Sequence, residues 1–285
     1  MQRSRSWVAE HPWLAGILLL LIIWTGNQLV PLGWMFSMSV KSDMDVIRYP
    51  LKLVWPPQLQ NYPEAWIGDT TGVTLNLYFL NSAIVVPSSL LILVGSATLA
   101  GYAFGRFDFF GRRVLFFFLV SLIAVPMHAL IVPLYAELRA FGLINNFLGL
   151  IFLYVTSTLP FSILVLQSYF TTFPSELEDA ALIDGCTRLG TFLRIAVPIS
   201  KGPIAAITIV NFIGMWNEVL LAIVVLWENK VRTVAPGLLG YMAQYGETRW
   251  GLIFAGLTIV TIPLIAFYLI FHNNIMKGAT LGSYR

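Results

Sequence analysis

Long stretches of apolar residues, nearly free of Asp, Glu, Lys and Arg, alternate with short polar segments along this sequence. Each stretch is long enough for a helix to cross about 30 Å of hydrocarbon, which takes roughly 20 residues. Because a helix satisfies its own backbone hydrogen bonds in lipid, helices fit the pattern better than strands, which need alternating segments of about ten residues. We therefore predict an all-α integral membrane protein with six transmembrane helices, over about residues 12–38, 74–105, 114–136, 146–170, 202–227 and 250–272.

Prolines lie inside several of these predicted spans, at positions Pro87, Pro126, Pro133, Pro160 and Pro263. In a soluble helix they would argue against helical structure, but in a membrane neighbouring helices can satisfy the freed carbonyl groups. The kinks they cause fit either moving parts of a pathway or simple irregularities of packing. The sequence leaves both interpretations open.

Composition supports a lipid environment. Of the 285 residues, 58% are hydrophobic and 11% are charged, against about 25% charged residues in soluble domains. The formal net charge of +3 is a small excess of Lys and Arg. Membrane proteins carry such an excess in their cytoplasmic loops, so we expect no nucleic-acid partner. One cysteine excludes an intrachain disulfide, and phosphate-loop, zinc-protease and paired-cysteine motifs are missing. We therefore expect no catalytic residue, metal site or cofactor on this chain.

The distribution of basic residues predicts the orientation. With the N-terminus inside, the inside segments hold a modest excess of Lys and Arg, and the compact turn 105–113 is clearly basic. The apolar run after Arg3 and Arg5 continues to Val40 without a small-residue cleavage site, so we interpret it as a retained signal anchor. Both termini are then expected in the cytoplasm, and the chain 1–285 is expected to form a single transmembrane domain.

Residues 173–201, called the polar segment below, concentrate charge between two apolar stretches. Ser175 and Glu178 have the spacing of a capping box, in which each side chain bonds the backbone N–H of the other residue. Gly185 can take the left-handed conformation that ends a helix. The pattern therefore predicts a short cytoplasmic helix over about residues 176–184, followed by a sharp turn.

A second helical segment is predicted over 187–196, because its apolar residues recur at helical spacing. These residues are Leu189, Phe192, Leu193 and Ala196. In the first helix, Ala180 and Ala181 give a low profile, which lets another surface approach closely. A solvated connector explains the polar segment as well as a binding surface does, as far as these features go.

The run EDAALIDGCTRLGTFLRIAVP within the polar segment resembles the EAA loop of ATP-binding-cassette importer permeases. That signature is an EAA triplet, three residues, a glycine, nine residues, an isoleucine, one residue, a leucine and a proline. The sequence matches it in register at Asp179, Ala180, Ala181, Gly185, Ile195, Val197 and Pro198. Asp179 stands for the usual glutamate and Val197 for the usual leucine, and both replacements are conservative.

The resemblance covers nearly the whole chain and is to the carbohydrate, maltose-type branch of these permeases. The supporting stretches are FLNSAIVV (79–86), GYAFGRFDFFGR (101–112), VPLYAELRAFGLINNFLGLI (132–151), WNEVLLA (216–222) and KGATLGSYR (277–285). The resemblance implies the type I importer permease fold with six helices. It also implies a multi-pass protein of the bacterial cytoplasmic (inner) membrane.

The same resemblance implies a function and a set of partners. The chain would be a permease that moves a sugar or oligosaccharide inward, or, on the same fold, a polyamine, phosphate or peptide. Its partners would be a second permease in a heterodimer, two ATPase subunits and an extracytoplasmic solute-binding protein. ATP and Mg would bind to the ATPases, so this chain would not itself be an enzyme.

In such a complex the helix over 176–184 would be the coupling helix, seated in a cleft of one ATPase. The residues implied at this contact are Glu176, Glu178, Asp179, Ala180, Ala181, Asp184, Gly185, Ile195 and Pro198. ATP binding would draw the two ATPases together and carry the seated helices with them. The permease would then close inside and open outside, which requires a mechanical contact with two states.

Glu218 is the one carboxylate inside a predicted span, where ionisable groups are costly and usually functional. Together with Trp216 and Asn217 it offers ring stacking and hydrogen bonds, which suit a sugar in a solute path. A structural bond to a neighbouring helix, or a position near the outer end of the span, explains the same residue. The sequence leaves these alternatives open.

Two other functional classes fit less well. A membrane enzyme would need acid, base or metal-binding residues clustered at one membrane depth, and the sequence offers isolated Glu218 and scattered histidines. A scaffold or sensor would be expected to carry a sizeable soluble domain, and no segment between the predicted spans is long enough.

Overall fold

A computed structural model describes residues 12–68, 74–245 and 249–281, and these residues form helices and connecting loops, with no strand among them. The α-helices are α1 (Pro12–Ser39), α2 (Asp43–Arg48), α3 (Asn61–Ile67), α4 (Leu75–Arg106), α5 (Arg112–Ser121), α6 (Ile131–Ala140), α7 (Phe147–Thr171), α8 (Ser175–Ile183), α9 (Arg188–Ile199), α10 (Lys201–Trp216), α11 (Leu220–Val225), α12 (Val234–Tyr245) and α13 (Trp250–Leu281). Short 3₁₀ turns cover Leu122–Ala124, Met127–Leu130 and Asn229–Val231. The predicted locations of the two termini fall on residues 1–11 and 282–285, outside the described part of the chain.

Helices long and apolar enough to cross a membrane are present in the expected regions. Within the described residues there are 4 such helices, and up to 6 if each of two bent helix pairs counts as one span. The unbroken ones are Ala15–Ser39, Leu75–Arg106, Phe147–Thr171 and Trp250–His272. The chain is therefore an all-helical protein with several candidate spans.

The first bent pair joins Arg112–Ala124 to Met127–Ala140 at an angle of 86°. The bend lies at Pro126, and the preceding residue, Val125, is extended with φ −83° and ψ 115°. A proline ring clashes with a helical conformation of the residue before it, which forces that residue into the extended region. This proline therefore breaks the predicted third span into two helices.

The second bent pair joins Arg188–Ile199 to Lys201–Trp216 at 72°. Ser200 lies at the bend, and its backbone N–H and its hydroxyl both donate to the carbonyl of Ala196, at 3.0 and 2.6 Å. Beyond it α10 ends at Trp216, and a separate helix begins at Leu220. The stretch 202–227, predicted as one span, is thus two helices.

The chain forms two compact units, of which one comprises Met1–Thr70 with Tyr241–Ile259. In this unit α1 exposes apolar side chains along its length, among them Leu20, Ile22 and Trp24. The Arg249 guanidinium forms ion pairs with Glu64 and, at 3.7 Å, with Asp43. Asp43 also accepts the backbone N–H of Gly251 at 2.9 Å, which ties the start of α13 to the start of α2.

Lys41, in the same unit, is buried, and its ammonium group donates to the carbonyl of Tyr49 at 2.9 Å. Burial lowers the pKa of this ammonium, and the Asp45 carboxylate partly opposes that effect. The Asn61 amide donates to the carbonyls of Ser39 and Lys41, at 2.9 Å each. The Asn61 side chain, at the start of α3, thus satisfies two backbone carbonyls where α1 ends.

The other unit comprises Thr71–Gly240 with Val260–Arg285, and α4 packs along α7 within it. A Cβ atom on Gly101 would meet the Cβ of Leu166 at 2.7 Å, and one on Gly105 would meet the Cβ of Phe170 at the same distance. Small residues at such spacing let two helix backbones approach closely in lipid. The two glycines are therefore required by the contact between α4 and α7.

Polar side chains at the start of α4 hold the segment that follows α11. The Asn81 amide donates to the carbonyls of Lys230 and Arg232, at 3.0 and 2.8 Å. The Ser82 hydroxyl accepts the backbone N–H of Val234 at 2.8 Å. These bonds satisfy buried polar groups in an apolar helix and fix residues 230–234 to it.

Candidate functional site

The first helix of the polar segment, α8, covers Ser175–Ile183, within one residue of the predicted range. Glu176 and Glu178 lie in its first turn, where the helix dipole favours negative charge. The predicted capping box is wrong, because Pro174 occupies the cap position without a side-chain bond and the Glu178 side chain turns to another helix. The acidic first turn, rather than a reciprocal cap, accompanies this helix start.

The end of α8 agrees with the prediction from Gly185. This glycine has φ +84°, in the left-handed region. Its N–H donates to the carbonyl of Leu182 at 3.1 Å, and the N–H of Cys186 donates to the carbonyl of Ala181 at 2.9 Å. This pair of bonds is the Schellman motif, which satisfies the last carbonyls of a helix and turns the chain sharply.

One face of α8 is exposed and carries both acidic and apolar residues. Its acidic members are Glu176, Asp179 and Asp184, with Ala180 and Gly185 beside them. Its apolar members are Leu177, Leu182 and Ile183, of which Ile183 is 86% exposed. Several exposed apolar side chains grouped on one short helix and rimmed by carboxylates fit a surface that contacts another protein, whereas a single one would be ordinary.

The opposite face of α8 is turned inward. Ala181 is 4% exposed, so Ala180 alone of the predicted alanine pair lies on the outer face, and the small side chain of Ala181 serves contact with this chain itself. The Glu178 carboxylate is also mostly buried, with 12% of its side chain exposed. The nine residues expected at the partner contact therefore do not share one face.

The second helical segment begins with a cap from Thr187, whose hydroxyl accepts the N–H of Gly190 at 3.1 Å. Phe192 and Ala196 are buried, whereas Leu189 and Leu193 are exposed. Phe192–Ala196 is a π-helical turn. Because Pro198 has no N–H to donate and its ring clashes with the carbonyl four residues before it, the turn ahead of it widens.

The last two positions of the predicted contact also lie on α9, Ile195 within this widened turn and Pro198 just after it. Ile195 is half-buried, and Pro198 is exposed. Ile195 packs beside the cluster that contains Phe192 and Ala196. These two positions therefore lie on a helix separate from α8.

Arg106, which was not among the predicted site residues, lies at the centre of this region. The Arg106 guanidinium donates two hydrogen bonds to one oxygen of Glu178, from Nε at 2.8 Å and from Nη2 at 2.6 Å. It donates a third, from Nη1, to the carbonyl of Phe173 at 3.1 Å. The other oxygen of Glu178 is also buried, and the Tyr102 side chain lies beside this carboxylate.

Aromatic rings surround this ion pair. Tyr102 lies 5.2 Å from the ring of Phe170 and 4.8 Å from that of Phe192, measured between centroids. The Arg188 guanidinium lies over the ring of Phe107, 5.5 Å from its centroid. A cavity of about 260 Å³ adjoins the pair and is lined by Tyr102, Arg106, Phe107, Glu178, Asp179, Leu182, Arg188 and Thr191. The polar segment is thus seated on the ends of α4 and α7.

The second predicted group, Trp216, Asn217 and Glu218, does not converge on one site. Trp216 is buried, its indole N–H donates to the carbonyl of Val260 at 3.2 Å, and its ring stacks on Phe212. Asn217 is exposed and donates to the carbonyl of Ile213 in its own helix at 2.9 Å. Glu218 lines a cavity.

Glu218 begins a helix and also contacts a neighbouring one. Its carboxylate accepts the N–H groups of Leu221 and Ala222, at 2.8 and 2.9 Å, and the hydroxyl of Tyr154 at 3.3 Å. The structural bond considered from the sequence is therefore present. The cavity beside it, of about 310 Å³, is lined by Tyr154, Ser157, Thr158, Phe161, Val210, Asn211, Gly214, Met215, Glu218 and Leu221. This lining combines hydroxyl, amide and carboxylate groups with two aromatic rings.

Comparison with known families gives a match over most of the chain. The family model described as "Binding-protein-dependent transport system inner membrane component" matches residues 97–280. This range contains both the polar segment and the Glu218 cavity. The match to the family therefore includes both candidate functional regions of this chain.

Individual proteins are also similar to this chain. The diacetylchitobiose uptake system permease protein of Streptomyces coelicolor is 32% identical over 267 residues, which is 93% of this chain and 87% of the relative. The trehalose/maltose transport system permease protein of Thermococcus litoralis is 32% identical over 255 residues, 90% of this chain and 91% of the relative. Among solved structures, a chain of a bacterial ABC transporter that imports alginate matches with a TM-score of 0.73 at 22% identity, covering 96% of this chain and 99% of the other, which shows a shared fold.

Proposed function

The chain belongs to the family of binding-protein-dependent transport system inner membrane components, and on this premise we propose that it is the permease subunit of an ATP-binding-cassette importer for a sugar or oligosaccharide. In this proposal it crosses the cytoplasmic membrane six times, over about residues 12–38, 74–105, 114–136, 146–170, 202–227 and 250–272, with the polar segment and both termini inside. Two relatives that align along nearly all of this chain are named for the transport of sugars, which supports a carbohydrate as the solute.

The proposed complex contains a second permease, two ATPase subunits and an extracytoplasmic solute-binding protein. ATP and Mg bind to the ATPases, and this chain contributes no catalytic residue. The ATPases pass their conformational change to this chain through the polar segment. A path between its helices then opens alternately to the two sides of the membrane.

The exposed face of α8 is the observation that carries this proposal. It presents the apolar side chain of Ile183 next to the carboxylates of Glu176 and Asp179, on a helix whose other face is fixed to α4. Carboxylates at such a contact can form charge-assisted bonds to basic groups of the ATPase, each worth about 1.5–3 kcal/mol net. Transmission of force between two proteins requires a rigidly held helix whose outer face binds the partner.

The Glu218 cavity is the proposed contact of this subunit with the solute. Its lining offers the Tyr154 and Ser157 hydroxyls and the Glu218 carboxylate as hydrogen-bonding groups, and the Phe161 ring as a stacking surface. Sugars present hydroxyl groups at their edges and apolar C–H groups on their ring faces, so this combination of side chains suits them. Trp216 is buried in packing and is not part of this proposed contact.

Purification of the tagged chain from membranes of its host tests the proposal. An ATPase and a second permease should be retained with it, and proteoliposomes of the complex, supplied with the solute-binding protein and ATP, should take up labelled trehalose, maltose or diacetylchitobiose. Spermidine, phosphate and a tripeptide serve as comparison solutes. Retention of no ATPase would contradict the importer proposal, and uptake of a comparison solute instead of the sugars would contradict the solute class.

A further inference from the structure

The ion pair between Arg106 and Glu178 joins two elements that lie far apart in sequence. Arg106 is the last residue of α4, and Glu178 lies in the first turn of α8. One planar guanidinium uses three of its N–H groups here, two on the carboxylate and one on the carbonyl of Phe173, just ahead of α8. The end of α4, the chain entering α8 and α8 itself are thereby fixed at three points.

The pair is largely shielded from water, since 15% of the Arg106 side chain and 12% of the Glu178 side chain are exposed. A buried pair of this kind often adds little net stability over well-packed apolar residues. Its geometry is specific, however, because the planar guanidinium donates to both of its partners in one orientation. The pair is therefore better explained as a device that fixes geometry than as a source of stability.

At its other end α4 is fixed again. Asn81 bonds the carbonyls of Lys230 and Arg232, and Ser82 bonds the N–H of Val234. Residues 81 and 106 lie roughly 37 Å apart along the helix axis at 1.5 Å per residue. One continuous helix thus connects α8 to residues 230–234 at the opposite end of the unit.

We infer that Arg106 is a positioning residue that makes α4 move together with α8, so that a displacement of α8 by a partner reaches the far end of α4. This inference rests on the proposed contact of α8 with an ATPase. It assigns Glu178 an internal role, separate from the outward carboxylates of Glu176 and Asp179. Close packing at Gly101 and Gly105 carries the same movement to α7.

The coupling has a clear energetic requirement. ATP binding can move the spans only if the contact between α8 and α4 stays intact. Coupling between distant sites needs a structural element whose conformational equilibrium both sites shift. Without the ion pair, α8 keeps its outer face for the partner but loses its fixed orientation on α4. The expected defect is therefore ATP hydrolysis that no longer drives transport.

The test uses the purified complex in proteoliposomes with Arg106→Glu, Glu178→Arg and the double variant that exchanges the two charges. ATPase retention, ATP hydrolysis and sugar uptake are measured for each. Each single variant should retain the ATPase and hydrolyse ATP, while the uptake per ATP hydrolysed falls about tenfold or more, and the exchanged pair should recover a large part of it. Glu176→Arg is the matched control on the outer face of α8 and should instead weaken ATPase retention.

The outcomes separate this inference from the proposed function. Absence of an ATPase from the wild-type complex would remove the premise and thereby the inference. If the wild-type complex transports and the single variants keep a normal ratio of uptake to hydrolysis, the inference alone is wrong. Loss of ATPase retention in the single variants, or no recovery in the exchanged pair, would also overturn it. Should a charge reversal prevent membrane insertion, Arg106→Lys and Glu178→Gln replace it, with the same expected loss of coupling.

Discussion

The hydroxyl of Tyr154 on α7 donates to the carboxylate of Glu218 across 3.3 Å, and the same carboxylate accepts the first N–H groups of α11. Glu218 therefore holds a helix start and a neighbouring helix at once, at the wall of a cavity. A residue with these bonds can serve structure and solute contact together. Substitutions that separate the two roles are needed to distinguish them.

The first prediction concerns Glu218. Glu218→Ala leaves the N–H groups of Leu221 and Ala222 without their acceptor, and each such loss costs about 1–3 kcal/mol. We expect a lower melting temperature and poorer assembly of the complex. Glu218→Gln keeps one of the two acceptor oxygens, so its melting temperature should fall less than that of Glu218→Ala, while its sugar affinity also falls.

Thermal unfolding and uptake kinetics measure these effects on the same preparations. Asn217→Ala is the control, because Asn217 is exposed and bonds its own helix. Unchanged uptake kinetics in Glu218→Gln would show that the carboxylate has a structural role alone.

The second prediction concerns the contact between α4 and α7. Gly105→Val places side-chain atoms where the Cβ of Phe170 already lies at 2.7 Å from the new Cβ, so the helices must move apart. Overpacking of this kind costs about 1–3 kcal/mol, and we expect a lower melting temperature of the purified chain. Gly95→Val on the same helix is the matched control, because no atom lies within 4 Å of the position its Cβ would take. Equal melting temperatures for the two variants would contradict the close approach.

The third prediction concerns Gly185. Its φ of +84° is accessible to Asp and Asn more readily than to other side chains, and a Cβ atom added to it would meet no other atom within 4 Å. Gly185→Asp should therefore leave the chain in the membrane but abolish uptake, because any side chain at this position would stand in the close contact with the ATPase. Gly185→Asn adds the same bulk without the charge and should fail in the same way. Normal ATPase co-purification with normal uptake in Gly185→Asp would refute the role of this turn.

The fourth prediction concerns Trp216. Trp216→Phe removes the N–H group that donates to the carbonyl of Val260 but keeps a ring beside Phe212 and Phe79. The lost hydrogen bond is worth about 0.5–1.5 kcal/mol, so a small fall in melting temperature is expected. Competition assays with several sugars should give the same order of preference as the wild type. A changed order of preference would place the indole in the solute path after all.

Local features of the fold were predictable from the sequence. The end of α8 at Gly185 depends on neighbouring residues, since a left-handed glycine and two backbone bonds complete it. The polar segment was recognisable because charge is rare elsewhere in the chain. The spacing of Gly101 and Gly105 is a known signal for close helix packing, and it was present in the sequence but not used.

Partners that are distant in sequence were not predictable in the same way. Glu178 fits a capping box by spacing, but Arg106, far away in the chain, competes for the carboxylate and forms a charge-assisted bond instead. Trp216 and Glu218 are close in sequence, but α10 ends between them, so they point to different surroundings. A list of polar residues near one another in sequence could not show which of them share a cavity.

Labelling of Cys186 tests the central claim, that α8 faces the cytoplasm and contacts an ATPase there. Cys186 is the single cysteine of the chain, directly after the turn at Gly185, and it is partly exposed. A membrane-impermeant maleimide should modify it in inside-out vesicles and leave it unmodified in right-side-out vesicles, and addition of the ATPase should slow the reaction. Modification from the outer face, or a rate that does not change when the ATPase binds, would contradict the account.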